Sequence, residues 1–162
     1  MTDDDLLGAL RVRRADAATR VDSHSTSPPP LFGPAASIAV REAEAQLGFR
    51  LPSLLSRVYQ EVGDGGFGPG FGLLGVAGGF VDAEGRSMPD RYLHLLPQGW
   101  PTQLLPLFDW GCGAWSCVDA VGDGAHVVTM DESGPTVTQF DLRSWLAAWA
   151  GGTSLIGEIY DL

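Results

Sequence analysis

Three groups of residues in this chain have types and spacings that chemistry can use. In EVGDGGFGPGFGLLGV, Glu61 to Val76, the residues Gly63, Gly65 and Gly68 satisfy G-x-G-x-x-G, the spacing of a dinucleotide-binding loop. Cys112 and Cys117 lie five apart, with His94 and His126 as further donors of the kind that bind metals or activate a thiol. A series of carboxylates, Asp82, Glu84, Asp90, Asp109, Asp119, Asp123, Asp131 and Glu132, falls on turn-forming stretches, where it can hold a hard cation or face a basic partner.

The elements that position these groups decide between the readings. A dinucleotide fingerprint follows a strand and opens a helix, so that the positive helix N-terminus meets the pyrophosphate. Here Pro52 suits a first helical turn, and Leu54, Leu55, Val58, Tyr59 and Val62 form an apolar helical face that runs up to Gly63. The apolar, strand-like GLLGVAGGFVD follows the glycines. The dipole at Gly63 then has the wrong sign for phosphate, and the glycines are expected to give positive φ angles and close backbone approach.

Two cysteines fall short of the four ligands of a structural zinc site. A disulfide between them is geometrically open but disfavoured in a reducing compartment, so small buried hydrophobes are the expectation. No G-x-S-x-G elbow is present, and the chain has no lysine, which removes P-loop and Schiff-base chemistry. His24 is expected in solvent, His94 and His126 in packing or pairing. The carboxylates lack EF-hand spacing; Asp119 with Asp123, and Asp131 with Glu132, flank successive turns that can meet as an acidic rim at one end of a sheet. No cofactor and no metal is called for. A metal- or thiol-dependent enzyme built on Cys112, Cys117 and a histidine stands as the alternative that stoichiometric zinc would revive.

The remaining pattern fills in around these sites. A helix is expected over residues 3–20, with Leu6, Leu10, Ala17 and Val21 on one face and acids in its first turn. The polar, proline-bearing linker VDSHSTSPPPLFGP follows. Ser37 can cap a helix that runs to Leu47 and stops at Gly48. Within Asp109 to Val121 a strand places Trp115, Cys117 and Asp119 on one face and Ala114, Ser116 and Val118 on the other. Turns at Gly122-Asp123-Gly124 and at DESG carry it into AHVVTM and PTVTQF as an antiparallel meander. A last helix starts near Asp141, with Leu142, Trp145, Leu146 and Trp149 at helical spacing, and Gly151-Gly152 end it. Residues 154–162 read as an edge strand or a loose tail.

Hydrophobic residues at 44% against 19% charged place the chain among globular domains, and 162 residues suit one core. Charge is unevenly spread: residues 61–162 carry thirteen acids against Arg86, Arg91 and Arg143, which accounts for the net charge of −10. Such a surface repels phosphate backbones and attracts basic partners, so nucleic acid is not an expected ligand. No apolar run has the length of a membrane span, and the acidic start MTDDD is unlike a signal peptide; the expected setting is cytoplasmic, without membrane contact.

Several of these pieces occur together in one family. The stretch AEAQLGFRLPSLLSRVYQEVGDGGFGPGFGLLGV resembles the N-terminal signature of Smi1/Knr4 domains, the SUKH superfamily. LPLFDWGCGAWSCVDAVGDG resembles the strand-rich centre of actinobacterial members, and FDLRSWLAAW their closing helix. The resemblance covers residues 36–150, leaving 1–35 as an N-terminal helix and linker extension and 151–162 as a tail. It implies a single-domain α+β fold with a mixed or antiparallel sheet packed by helices, in which Leu51, Pro52, Tyr59, Gly65, Gly66, Gly68 and Trp145 are structural. It also implies a non-enzymatic protein-binding role. Many bacterial relatives are immunity proteins that neutralise polymorphic toxins, often nucleases, while fungal relatives are regulatory interaction proteins. A basic toxin domain is thus the expected partner and a regulatory scaffold the alternative. The expected contact residues are Asp82, Glu84, Asp90, Asp109, Asp123, Asp131 and Glu132 for charge, with the loop residues Trp100 and Trp110 as anchors.

Overall fold

The computed structural model describes residues 1–16 and 31–160. Most of the expected linker, with His24, and the helical-face residues Ala17 and Val21 lie outside the described residues, as do 161–162.

Helix α1, Asp3–Ala15, opens with a capping box in which Thr2 Oγ1 accepts from Asp5 N–H and the Asp5 carboxylate accepts from Thr2 N–H. It is shorter than the expected 3–20 because Asp16 turns to extended backbone (φ −83°, ψ 115°). Leu6, Leu7 and Leu10 are at most 1% exposed. Each such burial is worth roughly 1.5–3 kcal/mol, so α1 belongs to the core and is not a free arm. Arg14 Nη1 fastens its end by donating to the carbonyls of Phe32 and Val62 at 2.9 and 2.5 Å. The Arg13 and Arg14 guanidinium groups lie over the rings of Trp149 and Phe67.

Helix α2, Ser37–Leu47, buries Val40, Ala43 and Leu47 and ends at Gly48 with φ 89°. Ser37 is its first helical residue; Ala36 holds the cap position, without a side-chain hydrogen bond. Helix α3, Ser53–Glu61, buries Leu55, Val58 and Tyr59, with Pro52 at the cap position rather than inside the first turn. Helix α4, Met88–Leu95, was not anticipated: Ser87 caps it, Pro89 stands in its first turn, and Met88 and Tyr92 face the core.

The sheet is a four-stranded antiparallel meander in the order β1-β2-β3-β4: β1 Leu104–Gly111, β2 Ala114–Asp119, β3 His126–Asp131 and β4 Gly134–Asp141. Its last three strands and both turns follow the sequence reading, whereas β1 begins five residues before the stretch read as strand. The pairs Phe108↔Ser116, Ser116↔Thr129 and Val118↔Val127 share one face, and Trp115↔Met130 and Cys117↔Val128 the other. Both faces of β2 are buried. Helix α5, Leu142–Ala150, follows with a second capping box, Asp141 with Ser144, and buries Leu142, Trp145, Leu146 and Trp149. Among the described residues of the tail there is neither an edge strand nor a wholly loose end: Leu155 is buried and a short 3-10 turn spans Ile156–Glu158.

Candidate functional site

The glycine segment is a structural joint. Gly65 has φ 86°, and a Cβ there would overlap the Leu73 carbonyl oxygen. At Gly68, φ 104°, it would stand 2.6 Å from the Phe108 ring. Gly66 N–H donates to Leu73 O at 2.9 Å, and Tyr59 Oη donates to Leu74 O at 2.6 Å. GLLGVAGGFVD is therefore not a strand. It touches β1 through the single bridge Leu73↔Phe108 and the bond Leu74 N–H to Leu107 O, with Phe71 N–H to Asp109 O just before it, because its own glycines interrupt extended pairing.

Asp64, which the sequence reading passed over, holds this joint. Its carboxylate is buried and accepts from the N–H groups of Val76 and Ala77 at 2.7 and 3.2 Å. Burial pushes its pKa up, and the backbone donors of Val76, Ala77 and Gly79 oppose that shift. Gly75 and Gly79 pass so close to Asp64 that neither has room for a Cβ. An acid followed by two glycines and, thirteen residues after the acid, by AGG is the only sequence trace of this cradle.

Cys117 is buried and burial pushes its thiol pKa well up, away from the thiolate that nucleophilic or ligand chemistry requires. Cys112 is exposed at the β1–β2 hairpin tip with φ 52°. His94 and His126 are exposed. Among the described residues no group of three or more His, Cys, Asp or Glu is placed to hold a metal ion.

The carboxylates fall into separate places. Asp119 ends β2 and Asp123 lies in the β2–β3 connection, whereas Asp131 ends β3 and Glu132 lies in the β3–β4 turn, and an antiparallel strand puts these two places at opposite ends of the sheet. The single acidic rim expected from the sequence is therefore corrected to two groups. Asp123 is tied to α3: its Oδ1 accepts from Ser53 N–H at 2.8 Å and from Ser53 Oγ at 3.1 Å, supplying from 70 residues away the cap that Pro52 cannot. Asp123 also lines a cleft of about 160 Å³ with Asp3, Asp141 and Arg143, and Asp3 is ion-paired to Arg143.

At the other end, Asp131 Oδ1 accepts from its own turn, from Ser133 N–H at 2.8 Å, and Glu132 is exposed. Asp109, half-buried, accepts from Gly111 N–H at 2.8 Å. Asp82 is enclosed, its side chain 2% exposed, and accepts from Glu84 N–H, Arg86 N–H and Arg91 Nε. The neighbouring Glu84 is exposed and pairs with Arg86 and Arg91. Arg91 in turn lies over the Trp115 ring, 5.7 Å from its centroid. Trp115 pairs with Asp109 across β1–β2, so the Glu84 turn sits at the same end as Asp109, Asp131 and Glu132. Asp90 is a helical residue of α4, not a loop residue, and accepts from Gln46 Nε2 at 2.8 Å.

The tryptophans divide as well. Trp110 is not in a loop: it lies in β1, fully buried, its Nε1 donating to Ser116 Oγ at 2.9 Å. It cannot anchor a partner, because the core already encloses it. Trp100 is half-buried and spends its Nε1 hydrogen on Leu104 O at 2.7 Å. Leu51, Pro52, Tyr59 and Trp145 are all buried.

Helices on a four-stranded meander, a glycine joint after α3 and a surface rich in carboxylates define an α+β domain of the SUKH type. The model of the SMI1/KNR4 family (SUKH-1) matches residues 34–148, and the chain belongs to that family, which includes immunity proteins. The match leaves out α1 and the last two residues of α5. Comparison with curated proteins gives no match.

Proposed function

We propose that this domain is an immunity protein that works in the cytoplasm by binding, and that it neutralises a basic toxin domain of the nuclease kind by covering its active site. No chemical step on the toxin is involved. The observation that carries this reading is the charge of a SUKH-family chain: a net −10 drawn from residues 61–162, with Glu84, Asp109, Asp131 and Glu132 gathered at one end of the sheet. The field of these acids steers a basic surface into encounter, the exposed Asp131 and Glu132 then pair with its arginines and lysines, and such attraction weakens as salt rises. Among the described residues no helix is long and apolar enough to cross a membrane.

Affinity capture of the full chain from its native cells, followed by titration of the recovered polypeptide's toxic activity, tests the proposal. A basic polypeptide whose activity falls to nothing at one equivalent of this protein is the expected result. Recovery of a signalling or envelope set with no inhibitable activity would replace the immunity reading by that of a regulatory scaffold.

A further inference from the structure

Among the described residues the basic side chains of this acidic molecule are almost all committed. Arg11 pairs with Glu61, Arg57 with Asp4 and Glu61, Arg86 with Glu84, Arg91 with Asp82 and Glu84, and Arg143 with Asp3. Arg13 lies over Trp149, and Arg14 bonds two carbonyls. Among the described residues only Arg41 and Arg50 have neither an acid nor a ring, and both line the same cleft, of about 470 Å³, between α2 and the start of α3. Ser37 adds a hydroxyl to its wall, and Gln60 an amide that spends one hydrogen on Ser56 Oγ at 2.9 Å and keeps a second; the Ser53 hydroxyl is taken by Asp123. The one acid there, Glu44, accepts from Leu51 N–H at 2.7 Å, so that two cations face one carboxylate already in use. Ser37 is the first residue of α2, whose cap residue Ala36 leaves the first turn without a side-chain acceptor.

We propose that this cleft is a second binding site, and that its ligand is a short acidic segment of a protein, held through side-chain carboxylates by Arg41 and Arg50. The guanidinium fork matches a carboxylate bidentately, and two of them on one wall fit two acids along an extended segment. The volume exceeds what a single inorganic anion fills, and serine and amide groups suit peptide backbone. Ser53 bonds Asp123 of the β2–β3 connection, so the cleft opens at the end of the sheet opposite Asp131 and Glu132. It is thus separate from the acidic surface assigned above and stands whether or not the partner there is a toxin.

Amide NMR spectra of the full chain, titrated with an acetylated tetraglutamate amide and in parallel with inorganic phosphate, test this. The peptide is expected to move the amides of Ser37, Arg41, Arg50 and Ser53 saturably while those of β4 stay still. Arg41→Gln with Arg50→Gln is expected to weaken the peptide by about tenfold or more, and Arg41→Lys with Arg50→Lys by less, since lysine keeps the charge and loses the fork. Both side chains are exposed, so an unchanged thermal midpoint is expected to confirm that the variants fold. Absence of saturable shifts, or peptide binding unchanged in the glutamine variant, overturns the site. Phosphate that saturates the same amides as tightly as the peptide overturns the peptide assignment in favour of a small-anion site.

Discussion

The two ends of the β-sheet carry similar carboxylates and use them differently. At the β2–β3 end, Asp123 caps α3 and Asp141 caps α5, so their oxygens serve backbone N–H groups at helix starts. At the β3–β4 end, Asp109 and Asp131 accept from the N–H groups of their own turns, and Glu132 faces water. An aspartate in a turn is therefore not one kind of residue. Where a helix start lies within reach, as for Asp123 and Asp141, it is a structural acceptor for that helix; where none does, as for Asp131, it accepts from its own turn.

The contrast predicts a graded series of stabilities. Asp141→Ala removes a capping box at the start of a helix that buries two tryptophans, and is expected to cost about 1–2 kcal/mol in urea unfolding. Asp123→Ala is expected to cost about 1 kcal/mol, because it leaves the first turn of α3 without its acceptor. Ser53→Ala should cost less, since the backbone N–H at that position still reaches Asp123. If Asp123→Ala leaves the urea midpoint unchanged, the cap from outside the helix is decorative and the two ends are not distinct.

Acid titration sharpens the same difference. The bonds from Ser144 N–H and Ser144 Oγ hold the Asp141 carboxyl below its ordinary value of 3.8. A depressed folded-state pKa gives stability that is present above 3.8 and is lost as pH falls through the lower folded value. The wild type should lose this part of its stability in that window. Asp141→Asn, which keeps a capping oxygen and cannot titrate, should show a flatter profile there. A variant profile parallel to the wild type would assign the acid sensitivity to other groups, such as Glu61 beside Arg57.

What was legible in the sequence follows from how local its causes are. Helices α2, α3 and α5 announce themselves by apolar spacing and by Gly48, Asp141 and Gly151, all within a few residues of what they control. The turns of the meander are equally local. Strand β1 was hidden because LLPLF is apolar on both faces and shows no alternation, and Pro106 argues against a strand unless it lies at an edge. Helix α4 had its signal, Ser87 with Pro89 and Asp90, but in only eight residues. The bonds of Asp64 and Asp123 could not be read for a further reason: their partners stand 12 and 70 residues away, and nothing near an acid in the chain says whether an N–H will arrive. The burial of Trp110 is the same lesson, since its loop-like Asp-Trp-Gly setting ends a strand that pairs with β2 on one side and is covered on the other by the glycine segment, bridged at Leu73↔Phe108.

The smallest change in stability should come from the end proposed to meet the partner. Asp131→Asn with Glu132→Gln removes two charges that no other element uses, so unfolding should shift by no more than about 0.5 kcal/mol. The amide oxygen of the asparagine in that variant can still accept from Ser133 N–H, which keeps the turn. The same pair should slow association with a basic partner several-fold at low salt, roughly in line with the loss of steering, and the two rates should converge as salt shortens the screening length. Asp123→Asn serves as the comparison: it too removes negative charge, but at the end where the carboxylate is tied to Ser53. If each charge removed slows association by the same factor at both ends, so that the double variant loses twice as much in log rate as Asp123→Asn, total charge and not its placement attracts the partner. If only the Asp131 and Glu132 variant slows association, the binding surface lies at the β3–β4 end, where the carboxylates of that turn serve no other element.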